Sequence, residues 1–207
     1  REYDRLKDNF NIMRGQDAAN FYYLGFNTKM PPFDKKEVRQ AIAYALDKVT
    51  MTQNVLFGIS EPISTPWPEF SIANFPEFKG MYDYDLEMTQ KLLTEAGYPD
   101  GIEFTIPAPN NFPELGQFSE ILKASLAEIG TTVNIDPMDG PQWYPILIDG
   151  TYEAIFSFAG GTQWYPTRLT LSNNFATSGN SVFTDGIPPA GWVEGITQAD
   201  TSFDPEE

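Results

Sequence analysis

Short stretches of alternating apolar residues and longer stretches with a helical period succeed one another across residues 102–158. This order constrains the fold more than any other feature of the chain. Ile102, Phe104 and Ile106 alternate, as in a strand with one face against a core. After a loop at residues 107–113, the residues Phe118, Ile121, Leu122, Ser125, Leu126 and Ile129 recur at three- and four-residue steps, predicting a helix stopped by Gly130. Val133 and Ile135 read as a second strand, residues 141–148 as a short helix, and residues 152–158 as a third strand. Strands and helices joined by loops of a few residues predict an α/β layer, a mixed sheet flanked by helices.

The upstream part adds two more helices. An aromatic strand over residues 21–27 ends at Phe26-Asn27-Thr28, and Pro31-Pro32 forbids helix beyond it. Val38, Ala41, Ile42, Ala45, Leu46 and Val49 then form one helical stripe, running toward Gly58. Asp34 is placed to cap this helix, with Glu37 completing a capping box and Phe33 a hydrophobic staple. Asp85 caps the next helix, which carries Thr89, Leu92, Leu93 and Ala96 and stops at Gly97. Between them, residues 59–82 hold Pro62, Pro66, Pro68 and Pro76 among Trp67, Phe70, Phe75, Phe78 and Tyr82. That composition predicts an ordered, aromatic-pinned connection rather than a flexible linker. Near the start, residues 1–7 read as a helix end and residues 10–13 as a strand. Asn27 and Arg39 are read as a strand-end hydrogen bond and a surface or inter-lobe ion pair ahead of ligand contacts.

Composition narrows the function. The 207 residues carry 29 acidic and 13 basic side chains, a net charge of −16, which repels phosphate backbones and anionic headgroups and argues against nucleic acid. No apolar run is long enough to span a membrane as a helix. With no cysteine and no histidine, Cys- and His-based nucleophiles, zinc sites built on them and haem ligation through them are excluded. The carboxylates fall in no recognisable catalytic frame, and Asp83 with Asp85 reads as a surface acid beside a cap. Neither an enzyme, a cofactor nor a metal is therefore expected. Gly160-Gly161 belongs to no nucleotide-binding pattern.

Four segments in order resemble one family. They are the strand-to-helix run through Val38-Arg39-Gln40-Ala41 and Ala45-Leu46-Asp47, and the run Lys91-Leu92-Leu93, Glu95-Ala96-Gly97-Tyr98, Asp100-Gly101. Ile129-Gly130 with Val133 and Trp143 follows, and then Gly150-Thr151-Tyr152-Glu153-Ala154. The chain resembles the extracytoplasmic solute-binding proteins of peptide, nickel and oligosaccharide ABC importers. A departure is Leu86, where that family often carries proline. The resemblance implies a lobe of a type II periplasmic-binding-protein-like fold, with residues 1–207 a single α/β lobe of a longer bilobal protein. It also implies an N-terminal lobe of the same protein as partner, ABC permease transmembrane subunits as recipients of the solute, and an extracytoplasmic location, in the periplasm or on a cell-surface lipoprotein. Rivals are a secreted carbohydrate-active enzyme domain and a sensory domain on the same fold.

The same resemblance points to the segment after residues 152–158. Peptide-binding relatives resemble W-x-A-D-Y-x-x-P there, their aspartate pairing with the α-ammonium of the ligand. Here the run from Ala154 to Thr184 holds no acid, and the equivalent position falls near Thr162. Gly161 lets backbone approach a ligand, Gln163 offers an amide, Trp164 and Tyr165 offer flat faces, and Arg168 offers a charge. That set suits a neutral polyhydroxylated solute such as an oligosaccharide, with an oligopeptide as the alternative. Trp67, bordering the cleft in the resembling proteins, and Asn110, at a strand end, complete the candidate ligand contacts.

Overall fold

The computed structural model describes residues 5, 6, 8–11, 20–67, 71, 74–160 and 190–201. Its strands are β1 (Asn20–Phe26), β2 (Glu103–Pro109), β3 (Thr132–Met138) and β4 (Ala154–Gly160). Its longer helices are α1 (Lys36–Tyr44), α2 (Leu86–Glu95), α3 (Pro113–Ala127), α4 (Gly140–Asp149) and α5 (Trp192–Thr201). β1 pairs antiparallel with β4, Phe26 opposite Ala154, and β2 pairs parallel with β3, Phe104 opposite Val133. A parallel pair needs a crossover, and α3 supplies it, packing on β2 and β3 through Leu115, Phe118, Leu122 and Leu126.

Mixed strand pairing flanked by helices matches the sequence expectation, and the reason for two separate ladders lies in β2. Asn110 N–H bonds Met138 O and Ile102 O accepts from Thr132 N–H, so even-numbered residues of β2 direct their backbone toward β3. The odd-numbered side carries Thr105, Pro107 and Pro109, and proline has no N–H to offer a neighbouring strand. The Thr105 N–H goes to the Glu153 carboxylate, 2.7 Å away. β2 therefore packs beside β4 without a backbone ladder between them.

The core joins these layers. Phe33 is fully buried, stacked on Phe26 at 4.9 Å and edge-on to Phe104 at 5.1 Å. Val38, Ala41 and Ile42 of α1 and Leu93 of α2 complete that side. α2 behaves as read: the Asp85 carboxylate accepts Met88 N–H at 2.8 Å. At the other end Tyr98 N–H bonds Leu93 O while Gly97, at φ +93°, bonds Thr94 O, the paired bonds of a Schellman end.

Other expectations are corrected. The N-cap of α1 is Lys35, without a side-chain bond, so Asp34 and Glu37 form no capping box. Phe33 is drawn into the core instead of stapling the turn. Arg39 satisfies the carbonyls before the helix, donating from Nη1 to Phe33 O at 2.7 Å and to Asp34 O at 3.0 Å. Helix α1 also stops short of the predicted end. Asp47 accepts Thr50 N–H at 2.9 Å and opens a new helical turn, Lys48–Thr50, which runs into a π-helical stretch, Met51–Val55. Rotating the chain at Asp47 takes Val49 off the stripe and leaves it 61% exposed. Phe10 and Asn11 are not in a strand: Asn9 and Phe10 both donate to Leu6 O, and Phe10 is exposed, while residues 12–19 lie outside the described residues.

In the described part of the connection over residues 59–82, aromatic contacts and hydrogen bonds tie it to its neighbours. Tyr82 meets Tyr44 edge-on at 5.1 Å and accepts from Gln40, Ser64 donates to Met81 O, and Phe75 packs on Phe78.

Candidate ligand-binding edge

Two contacts fix the direction of β4 relative to β2. Glu153, ahead of β4, reaches Thr105 in mid-β2, and Phe158, late in β4, lies 5.1 Å from Phe112 beyond the end of β2. The strands therefore run the same way, and the carboxyl ends of β2, β3 and β4 share one edge. Loops leaving such an edge form the ligand crevice of open α/β layers.

On one flank of this edge lies an aromatic cluster. Tyr22 meets Phe118 edge-on at 5.2 Å, Phe118 lies 5.7 Å from Phe156, and Phe112 bridges Phe158 to Trp143. Tyr22 donates its hydroxyl to Glu114 at 3.3 Å. Its pKa is raised, first by burial and then by the neighbouring Glu114 charge. Phe158 keeps part of its ring in solvent.

On the other flank, a groove of about 590 Å³ opens between α3, the π-helical stretch and the ends of β2 and β3. Its apolar walls come from Val55, Ala108, Ile121 and Ile135, and its polar groups from Asn54, Asn110, Gln117 and Glu120. Gly116 opens the α3 side: a Cβ there would meet nothing closer than Ala108 Cβ at 3.9 Å. Asn110 is held at the rim, its Nδ2 donating to Asp139 Oδ1 at 3.2 Å.

The predicted site residues divide three ways. Asn110 lines the groove. Trp67 does not; it is half-buried in the connection, its carbonyl accepting from Asn74 Nδ2 at 2.9 Å, as a loop anchor would be. Among the described residues, its buried indole Nε1 finds no acceptor. Gly161, Thr162, Gln163, Trp164, Tyr165 and Arg168 lie outside the described residues. Asn27 behaves as a strand-end group, donating to Gly150 O at 3.0 Å and accepting Lys29 N–H. The sequence reading missed Asn54, Gln117 and Glu120. Gln117 and Glu120 share a face with Pro113 and Gly116, a polar stripe legible only once the opposite face is known to be core. Among the described residues, no three acids gather to hold a metal and no helix is long and apolar enough to cross a membrane.

A mixed α/β layer whose groove opens at the carboxyl ends of its strands has the geometry of a small-ligand-binding domain. The family model for bacterial extracellular solute-binding proteins, family 5 (middle region), matches residues 2–183, and the chain belongs to that family. Heme-binding protein A of Haemophilus influenzae is 36% identical over 125 residues, 58% of this chain and 22% of that protein. Glutathione-binding protein GsiB of Pectobacterium atrosepticum is 30% identical over 123 residues, 58% of this chain and 23% of that protein. The periplasmic binding protein DppA of Helicobacter pylori, solved with the peptide STSA, superposes with a TM-score of 0.83 at 22% identity. That match covers 99% of this chain and 40% of DppA, and at that identity it bears on the fold. The chain thus spans about a quarter of the length of the curated relatives it matches.

Proposed function

We propose that this chain is a ligand-binding lobe of an ABC importer's solute-binding protein. It captures a peptide-type solute outside the cytoplasm and passes it to a membrane permease. The observation that carries the reading is the family match over residues 2–183, joined to a groove at the shared carboxyl edge of β2 and β3. The role is binding and release by closure of two lobes about the solute, with a second lobe of the same protein facing this edge. No covalent step is needed.

The oligosaccharide preference drawn from residues 161–168 gives way here to its alternative. The relatives are named for glutathione and heme, and the superposed DppA holds a peptide. The segment carrying Gly161, Thr162, Gln163, Trp164, Tyr165 and Arg168 follows β4 directly in sequence and is proposed as a further contact to the same solute. Titration calorimetry of the full-length protein tests the reading, with di- to tetrapeptides and glutathione set against malto-oligosaccharides. Micromolar or tighter binding of peptides alone is expected. Binding of oligosaccharides alone overturns the peptide assignment, and binding of neither class overturns the reading of the groove.

A further inference from the structure

The hydrogen-bonding inventory of the groove is lopsided. Pro109, Pro113 and Pro137 line it, and none has a backbone N–H. The Asn110 N–H is spent on Met138 O at 2.8 Å, and the Leu115 N–H in the first turn of α3 is spent on Phe112 O at 3.0 Å. Donors are therefore scarce along the backbone rim, while acceptors remain. Asn110 commits one Nδ2 hydrogen to Asp139, and its Oδ1 remains an acceptor that it can present to a ligand.

Charge points the same way. Among the described residues lining the groove, Glu120 is the one ionisable side chain, and no arginine or lysine stands among them. Gln117 and Glu120, three residues apart on α3, face the groove together with Pro113 and Gly116. Apolar Val55, Ile121 and Ile135 would take up the body of a ligand and lower the local dielectric around the Glu120 carboxylate once water is displaced. A ligand carboxylate would find no cation here, only the neutral amides of Asn54, Asn110 and Gln117, whereas a protonated amine would find a carboxylate as well as amide oxygens.

We propose that this groove receives the protonated amine of a peptide-type solute, with Glu120 as counter-charge and Asn110 Oδ1 as a second acceptor. The proposal rests on the peptide reading above. It also supplies, from a different element, the carboxylate that the acid-free run from Ala154 to Thr184 lacks.

The test uses the full-length protein and calorimetric titration with a panel of di- to tetrapeptides, each in free-amine and N-acetylated form. Glu120→Gln keeps the side-chain shape and removes the charge. It is expected to weaken free-amine binding by about fivefold to tenfold and to leave N-acetylated binding within about twofold. The wild-type preference for the free amine should shrink as salt rises from about 0.05 to 0.5 M, and the variant should lose that salt dependence. Gly116→Leu, which places a side chain inside the groove, should weaken both forms while far-UV circular dichroism stays unchanged. If Glu120→Gln treats the two forms as the wild type does, or if folded Gly116→Leu binds normally, the inference falls and the peptide reading stands. If the wild type binds no peptide of either form, the peptide reading falls and the inference with it.

Discussion

The carboxylate of Glu153 accepts the backbone N–H of Thr105 at 2.7 Å, and this single bond replaces the ladder that would otherwise join β2 to β4. It answers a local shortage. On that side of β2 the next two residues with the same orientation are Pro107 and Pro109, so Thr105 has the donor and no strand partner for it. The residue that resembles the acid of the family's G-YDA sequence is thus a structural acceptor holding two strand pairs in register.

Removing that acceptor should be felt in stability. Glu153→Ala is expected to destabilise the folded protein by about 1–3 kcal/mol, the cost of stranding a part-buried N–H that had bonded to a charged group. Glu153→Gln retains an oxygen that can accept and should lose less. Urea unfolding of both variants checks the order; equal, negligible losses would show that Thr105 finds water instead.

Gly97 and Gly101 both sit at left-handed φ, +93° and +87°, but in different surroundings. A Cβ on Gly97 would meet only the end of Lys35, 3.9 Å away, so Gly97→Ala should cost about 1–2 kcal/mol of backbone strain. A Cβ on Gly101 would come within 2.6 Å of Gly130 O and 2.8 Å of Thr131 N, rigid backbone that cannot step aside. Gly101→Ala should therefore add an overpacking cost of about 1–3 kcal/mol to the same strain. Thermal unfolding of the two variants side by side measures the difference.

Alkaline pH should unfold this protein through its tyrosines. Burial raises the Tyr152 pKa strongly, helped by Tyr23, and raises that of Tyr22 together with Glu114. Folding therefore favours the neutral phenols. Their contribution is fully present below the unfolded tyrosine value near 10 and is lost as pH climbs from there through the raised folded values. Stability should be level below about pH 9.5 and fall above pH 10. Tyr152→Phe and Tyr22→Phe should each flatten that fall, while phenolate absorbance at 295 nm shows which rings titrate late.

Trp164 is expected to act on the solute rather than on the fold. In the full-length protein, Trp164→Ala should weaken solute binding by about 2 kcal/mol, as loss of a stacking aromatic does. Unfolding of the ligand-free protein should move by no more than about 0.5 kcal/mol. A melting temperature that drops sharply with affinity unchanged would assign Trp164 to the core.

Much of the fold was legible because its signals act over a few residues. The Asp85 cap, the Gly97 stop, the period of Phe118, Leu122 and Leu126, and the alternation of Ile102, Phe104 and Ile106 each depend on near neighbours. Each appears in the structure where the sequence placed it. The order of these signals was enough to point to the family that the comparison then identified. Where two local preferences competed, reading failed. The stripe through Val38, Ala41, Ile42 and Ala45 favoured a helix continuing to Val49, but the Asp47 side chain bonding Thr50 N–H opened a new turn and turned Val49 to solvent.

The groove was beyond reach for a different reason. Asn54 comes from a π-helical stretch, Asn110 from a strand end and Glu120 from mid-helix, and nothing within a few residues of any of them signals the other two. Their meeting is set by α3 crossing from β2 to β3 and by the hydrophobic packing that orients it. Packing is non-directional and pairs residues by position in space, so the chain by itself determined the elements and their order. Tertiary structure alone decided which side chains face one another across the edge.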